Sequence, residues 1–341
     1  MLSQAHSVSP PLVTLVSSLR GLSVMASNPI QFQHGMSLPE FIRYFGIEAH
    51  CADTLARARW PEGFACPACA ARAHCVVNRG AKALYQCNAC RHQTSLTAGT
   101  LFASTKLPLT TWFLAIYLIS QAKTGLSALA LKRHLGVSYP TAWLMHHKIM
   151  RAMADSDDQQ RLAGHVQIDD AYLGGEINGA RAGRGSPNKV PFVAAVAVND
   201  KGNPIDLKLS AVATFSRESI AQWAKRHLSP GCAVTSDGLA CFAGVIDAGC
   251  IHMPFVVGQL KPRDLPQFKW VNTILGNLKT SLSGAHHAFN FRKYADRYLG
   301  AFAYRFNHRF DLADLVLRLL VETARAPAAP RQVISKAEHR F

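Results

Sequence analysis

Asp169 in HVQIDDAYLGG, Asp237 in AVTSDGLACF and Asn272 in WVNTILGNLK stand in three separated neighbourhoods of the chain. Each aspartate lies at or near the end of an apolar run of β-strand character, whereas Asn272 opens a helical stretch with Lys279 seven positions further on. Oxygen ligands brought together from two strands and a helix suit phosphoryl transfer assisted by two Mg²⁺ or Mn²⁺ ions about 3.5–4 Å apart. Asp169 is expected to bridge the ions and Asp237 to bind one of them. An amide oxygen can also ligate Mg²⁺ but adds no charge, so Asn272 is expected to hold its ion more weakly than a glutamate would. Asp170 follows Asp169 on the same strand, should point to the opposite face, and is the lesser candidate. Glu176 reads as a loop charge, and Asp247 and Asp264 have no strand context.

A second constellation is built from thiols. CPAC at 66–69 and CNAC at 87–90 give Cys-x2-Cys-x17-Cys-x2-Cys, the spacing of a tetrahedral Zn²⁺ site formed by Cys66, Cys69, Cys87 and Cys90. Four thiolates close the coordination shell, so the metal is structural, and His74, Cys75 and His92 are left as surface or packing residues. Cys51, Cys232, Cys241 and Cys250 lack ligand spacing and read as small hydrophobes. Arg72, Arg79, Lys82, Arg91 and His92 surround the thiols and are either a solvated rim or a nucleic-acid contact.

The elements that must position these groups follow from the hydrophobic period. HVQIDDAYL, VPFVAAVAV and PIDLKLSAV read as three successive strands, the last two joined by NDKGN. A helix over SRESIAQWAKRHL, a short strand AVTSD, a further strand HMPFVV and helices from about Val271 to Glu322 complete an α/β pattern. That order is the one of a ribonuclease-H-like fold, in which the first and fourth strands are neighbours and Asp169 can meet Asp237. Upstream, residues 36–62 read as a helical segment with Ser37 as N-cap, residues 63–100 as a zinc ribbon, and residues 105–155 as a helix-turn-helix region. In the last, a helix from Ser127 to Leu135 ends at Gly136, Ser138 caps a second helix, and Pro140 sits in its first turn. Leu129, Leu135, Val137 and Trp143 are expected to form its core, leaving Tyr139, Thr141, His146 and Lys148 exposed to reach a major groove or its phosphates. The α/β domain is expected over 160–325. Residues 1–35 are either disordered or precede the true start at Met36, and the Ala/Pro-rich 326–341 reads as a disordered tail.

Bulk properties agree with a polyanionic partner. Lys and Arg number 37 against 21 Asp and Glu, a net charge of +16, which points to double-stranded DNA. No apolar run approaches the ~18 residues a membrane helix needs, so a membrane partner is not expected and the chain reads as cytoplasmic. Paired Cys-x-x-Cys motifs in a reducing compartment also favour metal over disulfides. In YRFNHRF, Arg305 and Arg309 lie one helical turn apart, suited to phosphate contact or to packing of their stems, and His286–His287 is a poor metal site that could touch DNA.

Taken in order, GTLFASTKLPLTTWFLAIYLI, LGVSYPTAWLMHHKI, QIDDAYLGG, TSDG, VNTILGNLK and YRFNHRF make the chain resemble insertion-sequence transposases with an N-terminal zinc ribbon, of family 1595. The resemblance runs from about Cys66 to Leu320. It implies a catalytic triad in a ribonuclease-H-like domain, divalent metal, and cleavage and transfer of DNA strands at terminal inverted repeats. Asp169 and Asp237 match the two catalytic aspartates. The third position in many relatives is Glu followed seven residues later by Lys or Arg, and that frame selects Asn272 and Lys279; a frame around Leu275 or Asn277 has no basic residue at the right offset. Holding two element ends together implies at least a homodimer on DNA. The alternatives are a zinc-ribbon and helix-turn-helix regulator without enzymatic activity, and a ribonuclease-H-like nuclease or resolvase that cuts without joining.

Overall fold

Ser37 starts the first helix, α1 (Leu38–Phe45): its hydroxyl accepts the Glu40 N–H at 3.3 Å while the Glu40 carboxylate accepts the Ser37 N–H at 2.8 Å. Two donors of the first turn that have no partner within the helix are satisfied in this way. The computed structural model describes residues 33–79, 82–175, 186, 188–256, 258, 265–287 and 289–336. The expectations for residues 1–32, Glu176, Asp264 and 337–341 lie outside them. Helix α2 (Glu48–Arg59) leads into a three-stranded antiparallel sheet, β1 (His74–Arg79), β2 (Lys82–Cys87) and β3 (Gln93–Ser95), in the order β1-β2-β3.

Three helices follow: α3 (Leu109–Gln121), α4 (Ala128–Leu135) and α5 (Tyr139–Asp158). The apolar run WFLAIYLIS lies in α3, which buries Trp112, Phe113, Ala115, Ile116 and Ile119; the run is a core helix. Among the described residues no helix is long and apolar enough to cross a membrane. Gly136 ends α4 at φ 64°, Ser138 accepts the Thr141 N–H, and Pro140 occupies the first turn of α5. Leu129, expected in the core, is 45% exposed, and Leu131 fills the buried position instead. The acidic stretch DSDD at 155–158 is the last turn of α5. It is held there because Asp157 accepts from the buried ammonium of Lys208 at 2.9 Å.

A five-stranded sheet is assembled from β4 (His165–Leu173), β5 (Val190–Val198), β6 (Pro204–Ala211), β7 (Ala233–Ser236) and β8 (Ile251–Pro254) in the order β6-β5-β4-β7-β8. The β4–β5 and β5–β6 pairs are antiparallel, and β4–β7 and β7–β8 are parallel. Burial on both faces explains why β5 reads as an unbroken apolar run. One face carries Val166, Ile168, Val193 and Val234 against α6 (Arg217–His227) and the 3-10 stretch Ala240–Ala248. The other carries Leu173, Ala194, Val196 and Leu207 against α7 (Lys269–Ser281) and α8 (Phe291–Asn307).

The outer edge of β6 is closed by side chains. Asn307 accepts the Leu207 N–H at 2.8 Å and donates to its carbonyl at 3.0 Å, Asp296 accepts the Ala211 N–H, and Arg309 donates to Ile205. Covering an edge strand removes a template for unwanted pairing. Helix α8 also faces α5, where a Cβ on Gly300 would stand 2.5 Å from Ala154 Cβ, so the two helices cross at backbone distance. Helix α9 (Leu315–Arg325) packs with α3 and α5. The expected disordered tail is ordered as far as residue 336. Pro327 bridges to Thr100, and α10 (Arg331–Ser335) buries Ile334 fully beneath Arg297, which donates to its carbonyl at 2.8 Å. Composition concealed this because a single buried isoleucine in an Ala/Pro-rich stretch produces no period.

Candidate functional site

Strands β4 and β7 run parallel with His165 opposite Ala233 and Gln167 opposite Thr235. Continuing that register past the last pair sets Asp169 level with Asp237, which follows β7 directly. Oxygens of Asp169, Asp170 and Asp237 lie within 4.8 Å of one another, and all three residues are half-buried. Asp170, the lesser candidate by sequence, thus offers an oxygen to the same cluster. β7 stops at Ser236, so on that side β4 has no strand partner at 169–170, while β5 pairs with it on the other side, and a side chain from either face can turn toward the gap.

The loop after β7 fixes the Asp237 carboxylate. Its Oδ1 accepts the Leu239 N–H at 3.0 Å, and the Gly238 N–H donates to Ser236 Oγ at 3.3 Å. Gly238 has φ 84°, and a Cβ there would also crowd Val256 at 3.3 Å, so the turn calls for glycine. Ser236 Oγ is 2.8 Å from Nε2 of His252, whose pKa burial lowers. Asp169 Oδ1 accepts the N–H of Asp170 at 2.9 Å.

Asn272 and Lys279 are exposed on α7, while Val271, Ile274 and Leu278 on the same helix enter the core. The first turn of α7 is tied to β4 by Gln167, whose Oε1 accepts the N–H groups of Trp270 at 3.1 Å and Val271 at 3.2 Å. This residue escaped the sequence reading. Its signal was a polar side chain two positions before Asp169, hence on the same strand face. The three carboxylates fit a divalent cation: they are hard oxygen donors, close together and partly open to solvent.

In the small N-terminal sheet, Cys66, Cys69, Cys87 and Cys90 offer four sulfurs within 4.8 Å of one another. The Cys66–Cys90 and Cys69–Cys87 sulfur pairs are each 3.6 Å apart, and all four thiols are free. A tetrahedron with Zn–S bonds of ~2.3 Å has an edge of ~3.8 Å, so the cluster fits zinc, whereas a disulfide would bring sulfurs to ~2.05 Å. The backbone N–H of Cys90, ahead of that of Ala89, lowers the Cys87 thiol to about 7, while Cys69, despite the Ala71 N–H, is pushed up to about 12 by the thiols of Cys90 and Cys87. His74 packs its ring on Phe64 at 4.6 Å instead of joining the cluster. Cys51, Cys232, Cys241 and Cys250 are buried, as small hydrophobes should be.

The residues expected to meet DNA divide. Tyr139 is exposed and Thr141 half-buried at the start of α5. His146 and Lys148, expected outside, are 2% and 6% exposed. Over residues 145–150 every position of α5 is buried, so the helix is enclosed on all sides there and both side chains lie inside although they point to different sides of it. Lys148 donates to the Leu101 carbonyl at 2.9 Å and stands over the Trp112 ring, and burial lowers its pKa. Burial, with His147, His286 and Arg305 nearby, pushes His146 well below the usual histidine range. Arg309 packs: it donates to the carbonyls of Pro204, Ile205 and Phe306 and lies on the Phe306 ring at 3.6 Å. Arg305 is half-buried beside His286, and desolvation draws its guanidinium down to about 10. His286 packs edge-on against Tyr298 at 4.8 Å, and His287 is exposed.

With this geometry in hand, comparison with known proteins is informative. Residues 46–93 match the transposase zinc-ribbon domain, and residues 161–307 match the ISXO2-like transposase domain. A protein described as an uncharacterized protein in transposable element ISH50, from Halobacterium salinarum, is 27% identical over 197 residues. That alignment covers 57% of this chain and 62% of the relative's length. These two segments, one around the four thiols and one around the three aspartates, are therefore similar to the zinc-ribbon domain of transposases and to the ISXO2-like transposase domain.

Proposed function

We propose that the protein catalyses metal-dependent cleavage and transfer of DNA strands, binding the terminal inverted repeats of its element and joining them to target DNA. The observation that carries this reading is the convergence of Asp169 and Asp170, in the middle of β4, with Asp237, just past the end of the adjacent parallel strand β7. The antiparallel β6-β5-β4 run continued by parallel β7 and β8, with helices on both faces, favours a ribonuclease-H-like domain. Its carboxylates, with the amide oxygen of Asn272, would hold two Mg²⁺ or Mn²⁺ ions. Bound there, the ions would polarise the scissile phosphate and ease deprotonation of the attacking water or 3′-hydroxyl.

The chain's own groups supply the rest. The Leu239 N–H and the Gly238 turn aim Asp237, and the adjacent strands bring Asp169 and Asp170 to it without paying for order at the moment of reaction. Lys279 lies seven residues and ~10 Å along α7 from Asn272, placed to contact a phosphate of the terminal DNA. The α4–α5 pair is a helix-turn-helix that presents Tyr139 and Thr141, with Lys132, Arg133 and His134 exposed on α4. Arg309, whose donors are spent on carbonyls, is not a phosphate contact in this reading. Zn²⁺ on the four cysteines stabilises a ribbon whose own apolar cluster is small.

The experiment is a strand-joining assay on element-end DNA with Mg²⁺ or Mn²⁺. Asp169→Asn and Asp237→Asn should each reduce cleavage and joining to background while DNA binding persists. Undiminished joining by either variant would show the site to be elsewhere. Efficient cleavage by the unaltered protein without a joined product would make it a nuclease.

A further inference from the structure

Gln167 leaves β4 on the same face as Asp169, two residues on. The register agrees: Gln167 lies opposite Val196 and Asp169 opposite Ala194, and both partners belong to the apolar layer beneath α7 and α8. The Gln167 side chain is buried, and its Oε1 accepts two N–H groups from the first turn of α7, those of Trp270 and Val271. The first N–H groups of a helix have no partner within it and are normally met by a side chain at the N-cap. Here the N-cap residue, Phe268, makes no such bond. The cap comes instead from a strand about a hundred residues earlier in the chain, and the residue after the capped pair is Asn272.

We infer that Gln167 is a positioning residue: by clamping the first turn of α7 to β4 it fixes Asn272 relative to Asp169 and so sets the affinity of the site for a divalent cation. The inference rests on the reading of Asn272 as a ligand. A neutral amide gains little from long-range attraction, so its contribution depends on where its oxygen is held. Two bonds from one acceptor fix both the end of the helix and its rotation. Supporting groups of this kind alter metal affinity by about 10–100-fold when removed.

The test is Mn²⁺ binding to the full chain measured by calorimetry, which needs no DNA and no turnover. Gln167→Leu should weaken Mn²⁺ binding about tenfold, and Gln167→Glu, whose oxygen accepts the same two N–H groups, should retain it. Gln167→Asn, too short to reach, should behave like the leucine variant and serves in its place if leucine prevents folding. Because Gln167 acts through Asn272, Gln167→Leu should cost nothing further in an Asn272→Ala background. Equal losses in both backgrounds, or unchanged affinity with a lowered Tm, would overturn the inference and leave Gln167 a helix cap only. If Asn272→Ala binds Mn²⁺ normally, Asn272 is no ligand and the inference falls with it. If Asp169→Asn also binds normally, the reading of the whole site fails.

Discussion

On the proposed two-metal reading, Asn272 would offer a neutral oxygen where a further carboxylate would add charge. Asp170 would change that balance, since three carboxylates rather than two would then face two divalent ions. Asn272→Glu should therefore tighten Mn²⁺ binding, because it adds a charged oxygen at a position already on the exposed side of α7. Calorimetry giving the same dissociation constant for both proteins would remove position 272 from the coordination sphere. Single residues also mark where reading by type fails. His146 and Lys148 are polar, but α5 is enclosed on all sides over residues 145–150, and Lys148 is accommodated there by the Leu101 carbonyl.

At the scale of elements, strands and caps were legible because their causes are local. Apolar runs bounded by turn residues marked β4, β5 and β6, and Ser37, Ser138 and Ser216 accept from the helices they precede. The ends of the chain were less so. Helix α10 is held by Ile334 and by Arg297 from α8, a contact made across 37 residues that no window of sequence contains. Ile334→Ala should lower stability by ~2–4 kcal/mol, read from the urea midpoint, because it opens a cavity in a fully buried position. A change near zero would show that the tail does not pack. The tie between Gln167 and α7 is another link of this kind, joining β4 to a helix 103 residues away.

The whole molecule carries +16 net charge, yet several histidines are held neutral inside it. Burial, ahead of neighbouring cations, lowers His147 and His227 to about 3 and His286 to about 4. The groups facing them are Arg297 and His286 for His147, Lys208, Asp158, Arg226 and Arg161 for His227, and Arg305 and His287 for His286. An unfolded histidine takes up its proton near pH ~6.5, so below that value the unfolded chain binds protons that the folded one refuses. Stability should be full above pH ~6.5 and decline as pH falls toward ~5, before most carboxylates titrate. Urea midpoints measured across that range should drop steadily; a flat profile would mean that these histidines are protonated in the native state.

Chemistry carried by spacing was legible in the sequence itself: two Cys-x-x-Cys pairs, two aspartates on apolar strand runs (one in mid-strand, one just past a strand end), and the seven-residue step from Asn272 to Lys279. These depend on backbone periods of two and of 3.6 residues, which are properties of a few consecutive residues. Tertiary structure alone decided that Asp170 joins Asp169 and Asp237, that Gln167 caps α7, and that His146, Lys148 and Arg309 are packing groups. Each of those outcomes turns on which strand ends first, or which helix lies across a given face. Contacts between segments far apart in the chain settle such questions, and neither residue type nor local spacing encodes them.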